Sequence, residues 1–160
     1  MHLYLIFMAV FSWILNRLGD IVSKPKVSLL EDSHSQLQKR RTKLQAAIID
    51  LRKRFDYVQY PELRRYLRDL IAEEKISPKE SIQLEALCGS FLSISSDEIE
   101  VEKKRAFELV RSGKDRKINL LVIRLAATAL EIAEKNKQIG QLDTEINELK
   151  YELLRLREAS

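Results

Sequence analysis

A heptad repeat over residues 118–156 constrains the fold of this chain more than any other feature. Inward-facing positions recur there at alternating spacings of three and four residues, and ten of the twelve are Ile or Leu. They are Ile118, Leu121, Leu125, Thr128, Ile132, Lys135, Ile139, Leu142, Ile146, Leu149, Leu153 and Leu156. A spacing that averages 3.5 residues keeps one seam of a helix facing a partner helix. The segment therefore predicts a long helix that ends as a coiled coil.

The composition favours helices throughout the chain. Of 160 residues, 32% are charged and 45% are hydrophobic, and there are only four Gly and three Pro. No segment shows the alternating apolar pattern between turn residues that is typical of a strand. We therefore predict an all-α protein with a short N-terminal membrane-anchor helix, a small helical bundle and a long C-terminal coiled-coil helix.

Local signals suggest where the helices begin and end. Ser77 and Ser95 each stand three residues before a glutamate, which is the pattern of a capping box. Lys24-Pro25-Lys26 is expected to break the first helix, and Tyr60-Pro61 to begin another. These signals divide the chain into an anchor (1–23), a basic amphipathic helix (34–58), a helical bundle (61–134) and a coiled-coil segment (135–158).

The amphipathic helix 34–58 carries a shorter heptad seam. Its inward positions are Leu37, Leu44, Ile48, Leu51, Phe55 and Val58, with Arg41 in one inward slot. Such a seam can pair with the C-terminal helix or with its own copy.

The N-terminal segment is apolar from residue 3 to residue 15 except for Ser12. A membrane span needs about 20 residues, a length reached only if 1–22 inserts with Arg17 extended to the headgroups. An interfacial helix and a helix buried in a partner are the alternatives. Basic residues follow the run, which favours a single-pass anchor with the body in the cytoplasm. The expected anchor residues are Leu3, Leu5, Ile6, Phe7, Phe11, Trp13, Ile14 and Leu15.

The net charge of +4 is too small to indicate nucleic-acid binding, and no dense basic region leads into the heptads. The basic excess is local to residues 37–58. Its possible contacts with anionic lipid headgroups are Lys39, Arg40, Arg41 and Lys43, and a solvated outer face is the alternative.

Catalytic chemistry is not expected. Neither His2 nor His34 has a neighbour at ligand or triad spacing, and Cys88 falls on an apolar helix face as a small hydrophobe. The carboxylates between Asp97 and Glu102 suit a first helical turn rather than a calcium loop. No cofactor, metal or enzymatic activity is therefore expected.

Residues 60–110 resemble TerB-like helical domains of bacteria. The resemblance rests on an amphipathic helix followed by Ile76-Ser77-Pro78-Lys79-Glu80, a second helix, Ile94-Ser95-Ser96-Asp97-Glu98 and a third helix. It covers about a third of the chain and departs from the pattern at Glu73-Glu74-Lys75, where such domains often have an Asp-Gly turn. The resemblance implies a helical module in membrane-associated stress or phage-defence assemblies.

The coiled-coil segment predicts a parallel homodimer. Its interface residues are Ile139, Ile146 and Leu153 at a positions and Leu142, Leu149 and Leu156 at d positions. Ile at a with Leu at d favours two parallel strands, in which Glu145 would meet Lys150 and Glu152 would meet Arg157 of the other copy. The alternatives are a fold-back onto residues 37–58 and a different helical protein partner.

These features indicate a non-enzymatic, membrane-anchored scaffold, adaptor or assembly subunit that recruits partners at the cytoplasmic face. A membrane-perturbing effector or toxin that is activated by clustering is a second hypothesis, and a permanent helical subunit of a large membrane complex is a third.

Overall fold

The computed structural model describes the backbone of residues 2–109 and 115–159, and the side chains of residues 11–15, 17–19, 24–109 and 115–159. Within these ranges all regular structure is helical, which confirms the all-α prediction. The α-helices are α1 (His2–Arg54), α2 (Tyr60–Ala72), α3 (Pro78–Gly89), α4 (Ser96–Leu109) and α5 (Arg116–Glu158). A π-helical turn, Phe55–Gln59, joins α1 to α2, and a 3₁₀ turn, Ser90–Ser93, follows α3.

The predicted break at Pro25 is wrong, because α1 continues through it. A proline inside a helix removes one N–H donor and crowds the preceding turn, at a cost of about 3 kcal/mol. The residues after Pro25 pair with α5, Lys26 with Glu152 and Glu31 with Arg157, so contacts distant in sequence support the helix there.

The π-helical turn stands directly before Pro61, which lies in the first turn of α2 as expected. The N–H of Tyr60 donates to the carbonyl oxygen of Phe55, five residues earlier. This wider turn shifts the register of the helix face. Phe55 is only 2% exposed, whereas Val58 is 58% exposed, so the prediction that Val58 faces inward is wrong.

The chain forms two compact units, and the residues of α1 and α5 are divided between them. The bundle unit is Lys43–Ile139, and the two-helix unit is Met1–Thr42 with Gly140–Ser160.

The core of the bundle unit is built around the first half of α5. Six apolar residues of α5 are at most 3% exposed there: Ile118, Leu121, Val122, Leu125, Ala126 and Ala129. They pack with Phe55, Leu63, Leu67, Leu70, Leu84, Cys88, Phe91, Ile99 and Ala106. A smaller cluster contains Ile48, Leu51 and Ile132. The wide apolar face of residues 118–133 thus contacts several helices of this unit.

Both predicted capping boxes are confirmed. The Ser77 hydroxyl accepts from the Glu80 N–H at 3.2 Å, while the Glu80 carboxylate accepts from the Ser77 N–H at 2.8 Å. Ser95 and Glu98 repeat the arrangement at 3.3 and 2.7 Å. α5 has its own cap, because Oδ1 of Asp115 accepts from the N–H groups of Lys117 and Ile118. Gly113, which the sequence predicts to end the preceding helix in a left-handed C′ conformation, lies outside the described residues.

The end of α2 uses a glutamate where glycine is usual. Glu74 has a φ of 56°, in the left-handed region. The Lys75 N–H donates to the Leu70 carbonyl and the Glu74 N–H donates to the Ile71 carbonyl. These two bonds form a Schellman motif with Glu74 at the C′ position.

Candidate interaction surface

The two-helix unit pairs one segment of α1 with the C-terminal segment of α5. On the α5 side, Leu142 and Ile146 are 3% exposed and Leu153 is 9% exposed, while Leu149 and Leu156 are half-buried. On the α1 side, half-buried residues recur at spacings of three and four. They are Val27, Leu30, His34, Leu37 and Arg41.

Three ion pairs give the direction of this pairing. Lys26 Nζ lies 3.1 Å from a carboxylate oxygen of Glu152, and Arg157 Nη2 lies 2.7 Å from Glu31. Farther along α1, Arg41 pairs with Asp143, an earlier residue of α5. From the Glu31–Arg157 pair to the Arg41–Asp143 pair, α1 advances by ten residues while α5 goes back by fourteen, so the two segments run antiparallel.

The six residues predicted as an oligomer interface are thus divided between the two units. Leu142, Ile146, Leu149, Leu153 and Leu156 lie in the two-helix unit. Ile139 packs against the small cluster of the bundle unit. A single chain can therefore cover much of this seam with its own α1. This arrangement corresponds to the fold-back alternative, but the α1 segment involved begins closer to the N-terminus than residue 37. The parallel homodimer stays a prediction that competes for the same side chains.

Arg41 is bound to α5 in the single chain. Its Nε lies 2.5 Å from Oδ1 of Asp143, and its Nη2 lies 3.5 Å from Oδ2. The other three residues named for headgroup contact, Lys39, Arg40 and Lys43, are exposed, and none forms an ion pair with a described residue. A free basic face therefore remains on α1 without Arg41.

His34 lies in a groove of about 380 Å³ in the two-helix unit. The groove is lined by Glu31 and His34 of α1 and by Lys150, Leu153, Leu154 and Arg157 of α5. The Nε2 atom of His34 is buried and has no hydrogen-bond partner among the described residues. A buried polar atom without a partner is uncommon, which singles out this histidine.

The expected anchor residues are described only in part. The side chains of Leu3, Leu5, Ile6 and Phe7 lie outside the described residues, whereas those of Phe11, Trp13, Ile14 and Leu15 are 43–58% exposed. The guanidinium of Arg17 lies 4.9 Å from the Trp13 ring centroid. Within the described part of the chain, no helix is both long and apolar enough to cross a bilayer.

Cys88 and the acidic side chains were the groups of the bundle unit considered for site chemistry. Cys88 is fully buried, as predicted, and burial raises the pKa of its thiol to about 12. The described residues contain no group of three or more His, Cys, Asp and Glu side chains placed to hold a metal.

The sequence contained a signal for the longer α1 seam. The alternation of three and four that begins at Leu37 extends back through His34 and Leu30 to Val27. Two polar residues seven positions apart, His34 and Arg41, interrupt the apolar pattern at equivalent places. The expected helix break at Pro25 also argued against a seam that begins as early as Val27.

Comparison of the chain with models of known protein families, with curated protein sequences and with solved structures found no match. The resemblance of residues 60–110 to TerB-like domains stays a prediction.

Proposed function

We propose that this protein is a non-enzymatic scaffold that binds the cytoplasmic face of a membrane through the N-terminal part of α1 and associates with a second copy through α5. The observation that carries membrane binding is the exposed cluster of Phe11, Trp13, Ile14, Leu15 and Leu18. Large apolar side chains grouped on a surface are typical of a lipid or protein interface. Arg17 and Lys24 border the cluster, as expected near anionic headgroups.

The length of α1 separates two modes of membrane binding. A helix rises about 1.5 Å per residue, so Lys39 lies about 36 Å from Leu15 along a straight α1. If residues 1–22 cross the bilayer along its normal, Lys39 and Arg40 stand farther from the headgroups than the screening length of about 8 Å. Headgroup contact by these residues therefore requires α1 to lie along the surface.

Association with a second copy is supported by charge. Lys150 and Glu145 are exposed and form no ion pair with a described residue of their own chain. A parallel dimer would bring each Glu145 to the Lys150 of the other copy. The Glu152 and Arg157 side chains would exchange their α1 partners, Lys26 and Glu31, for one another across the dimer.

Liposome flotation of the full chain tests membrane binding. We expect the protein to float with vesicles containing anionic lipid, and the triple variant Phe11→Ser, Trp13→Ser, Leu15→Ser to remain at the bottom. A variant with Ile82→Ser, Val101→Ser and Ile123→Ser removes three other exposed apolar side chains, all in the bundle unit, and should float normally. Equal flotation of wild type and the first triple variant would refute membrane binding by this segment.

The mode of binding is tested on the same vesicles. A surface-bound α1 predicts that Lys39→Gln with Arg40→Gln weakens flotation, whereas a spanning α1 predicts no change. Extraction by alkaline carbonate without detergent would favour a surface or protein contact over a span. Release of a trapped dye from the vesicles would favour the effector hypothesis over a scaffold.

A further inference from the structure

We propose that the bundle unit carries a second surface for self-association, at which the α5 helices of two copies pair antiparallel along residues 116–134. This contact lies earlier in α5 than the coiled-coil segment and does not depend on the dimer proposed above. A chain that uses both surfaces can bind two neighbours at once, which would let a scaffold grow beyond a pair of copies.

One apolar stripe of α5 remains partly exposed in the bundle unit. Leu120 and Ile123 are 46% and 47% exposed, Ala127 is exposed and Leu130 is half-buried. Their spacings of three, four and three residues place these four side chains along one side of the helix. We call them the exposed stripe. Apolar side chains grouped on a surface are typical of a contact with a partner.

The exposed stripe ends in opposite charges. Arg116 stands four residues before Leu120, Glu134 stands four residues after Leu130, and both charged side chains are exposed. A helix that lies on an anionic membrane carries mainly Lys and Arg on its polar side. The carboxylate of Glu134 therefore argues against lipid as the partner of this stripe.

An antiparallel pair of α5 helices, centred at residue 125, matches the exposed stripe with itself. Facing positions then lie equally far from residue 125 in opposite directions. Leu120 faces Leu130 of the second copy, and Ile123 faces Ala127. A two-fold contact has to be self-complementary in this way, because the same face serves both partners.

The same register also pairs the charges. Arg116 and Glu134 lie nine residues before and nine residues after residue 125, so they face each other at both ends of the contact. A parallel pair would instead oppose like charges at both ends. The two Arg124 side chains approach each other near the axis, which lowers the affinity. The end charges therefore favour a second copy in the antiparallel direction.

The proposed contact is short. Residues 116–134 span about 27 Å, since a helix rises about 1.5 Å per residue. A single pair of helices of this length is expected to bury less surface than a standard interface of about 1,600 Å². We therefore expect weak, reversible association, which covalent trapping can detect.

Disulfide trapping between two full-length variants tests the register. One chain carries Ile123→Cys, the other carries Ala127→Cys and a tag that changes its mass, and both are mixed in mild detergent with a glutathione redox buffer. The two positions face each other in the proposed pair, and a disulfide requires Cα atoms within about 7 Å. Cys88 is fully buried and should not react.

We expect the mixed disulfide to exceed the disulfide of either variant with itself by about tenfold, because identical positions are offset along the antiparallel pair. A chain with Ile82→Cys replaces the Ala127→Cys chain as the control for random collision. Ile82 is 68% exposed and lies on α3, outside the proposed contact.

Charge reversal tests the pairing of Arg116 with Glu134. Arg116→Glu in both chains, or Glu134→Arg in both chains, should lower the mixed disulfide by about fivefold, the scale expected for two exposed charge pairs. Arg116→Glu in one chain with Glu134→Arg in the other should restore it, because each carboxylate then meets a guanidinium. Failure of this combination to restore the disulfide would overturn the register.

A mixed disulfide no stronger than the Ile82→Cys control would overturn the proposal and leave the stripe to a different protein or to lipid. A stronger disulfide of Ile123→Cys with itself would indicate a parallel pair and would overturn it as well. Ala159→Cys, at an exposed position near the end of α5, tests the coiled-coil dimer separately. A disulfide at residue 159 without the mixed disulfide would refute the bundle contact and leave the coiled-coil dimer standing.

Discussion

The hydroxyl of Tyr60 donates a hydrogen bond to the backbone carbonyl oxygen of Glu85 over 3.0 Å, and so joins the start of α2 to α3. The Tyr60 ring stacks on Phe55 with centroids 6.1 Å apart. On the α3 side, a Cβ added at Gly89 would lie 3.2 Å from the Tyr60 hydroxyl oxygen, so this glycine leaves room for the ring. Burial, followed by the negative charge of Glu85, raises the pKa of Tyr60.

Tyr60→Phe should lower the free energy of unfolding of the bundle unit by about 1 kcal/mol, the usual contribution of one such hydrogen bond. Chemical denaturation followed by circular dichroism measures the change. Tyr57→Phe is the matched control, because Tyr57 is 77% exposed and should tolerate loss of its hydroxyl. Equal stabilities of the two variants would argue against a contribution from the Glu85 contact.

Ser77→Ala and Ser95→Ala should each destabilise the bundle unit by about 1 kcal/mol, because each removes an N-cap acceptor. Thermal unfolding of the two variants provides the measurement. Ser96→Ala alters an exposed serine one position inside α4 and serves as the control. Melting temperatures unchanged in both cap variants would contradict the capping argument.

Acidification should weaken the cap of α4. Hydrogen bonds from the backbone N–H and the hydroxyl of Ser95 lower the pKa of the Glu98 carboxyl. Since the folded pKa lies below the unfolded one, the stabilisation is present above about pH 4.3 and is lost as pH falls through the folded value. Wild type should therefore exceed Glu98→Gln in stability near neutral pH, with the difference disappearing in acid. A difference that does not vary with pH would show that the carboxylate charge is not involved.

Glu74→Gly should stabilise the protein by about 1 kcal/mol, because glycine adopts the left-handed conformation without a Cβ clash. Denaturant unfolding is again the measurement. Glu73→Gly, at the neighbouring residue with a φ of −86°, should destabilise or have no benefit. Destabilisation by Glu74→Gly would mean that the glutamate side chain supports the turn.

Charge exchange tests the pairing of α1 with α5. Arg41→Asp would place two carboxylates together and should accelerate amide hydrogen exchange in residues 142–156, while Arg41→Asp with Asp143→Arg should restore protection. Both side chains are partly exposed, so the coupling free energy is expected to be about 0.5 kcal/mol. A double variant no more protected than Arg41→Asp alone would refute the antiparallel register.

Local and distant interactions explain which predictions succeeded. The caps at Ser77 and Ser95 depend on four consecutive residues, so the sequence contained all the needed information. The core role of residues 118–133 followed from an apolar face too wide for one partner. Continuity of α1 through Pro25 depends on contacts with residues more than a hundred positions away. A prediction from neighbouring residues alone does not include such contacts. The prediction that Val58 faces inward was wrong for another reason. The π-helical turn, which is only five residues long, changed the register of the helix face.

His34 is a residue of the interaction surface whose surroundings could not be predicted from the sequence. A histidine at an inward position reads as an interruption until the residues opposite it are known, and Lys150 and Arg157 come from the far end of the chain. Similarly, nothing in Glu73-Glu74-Lys75 marks the Schellman turn, because its usual glycine is absent. In both cases the residue type is unusual for the structural position that it occupies, and that position is known only once the fold is known.

The separation of α1 from α5 along the chain has a consequence during synthesis. About 100 residues lie between Leu37 of α1 and Leu142 of α5, and ribosomes add roughly 5–20 residues each second. The leucine face of a nascent α1 therefore waits about 5–20 s for its intramolecular partner. On a polysome, neighbouring nascent chains expose the same face during that interval, so pairing between adjacent copies can begin before any chain is complete.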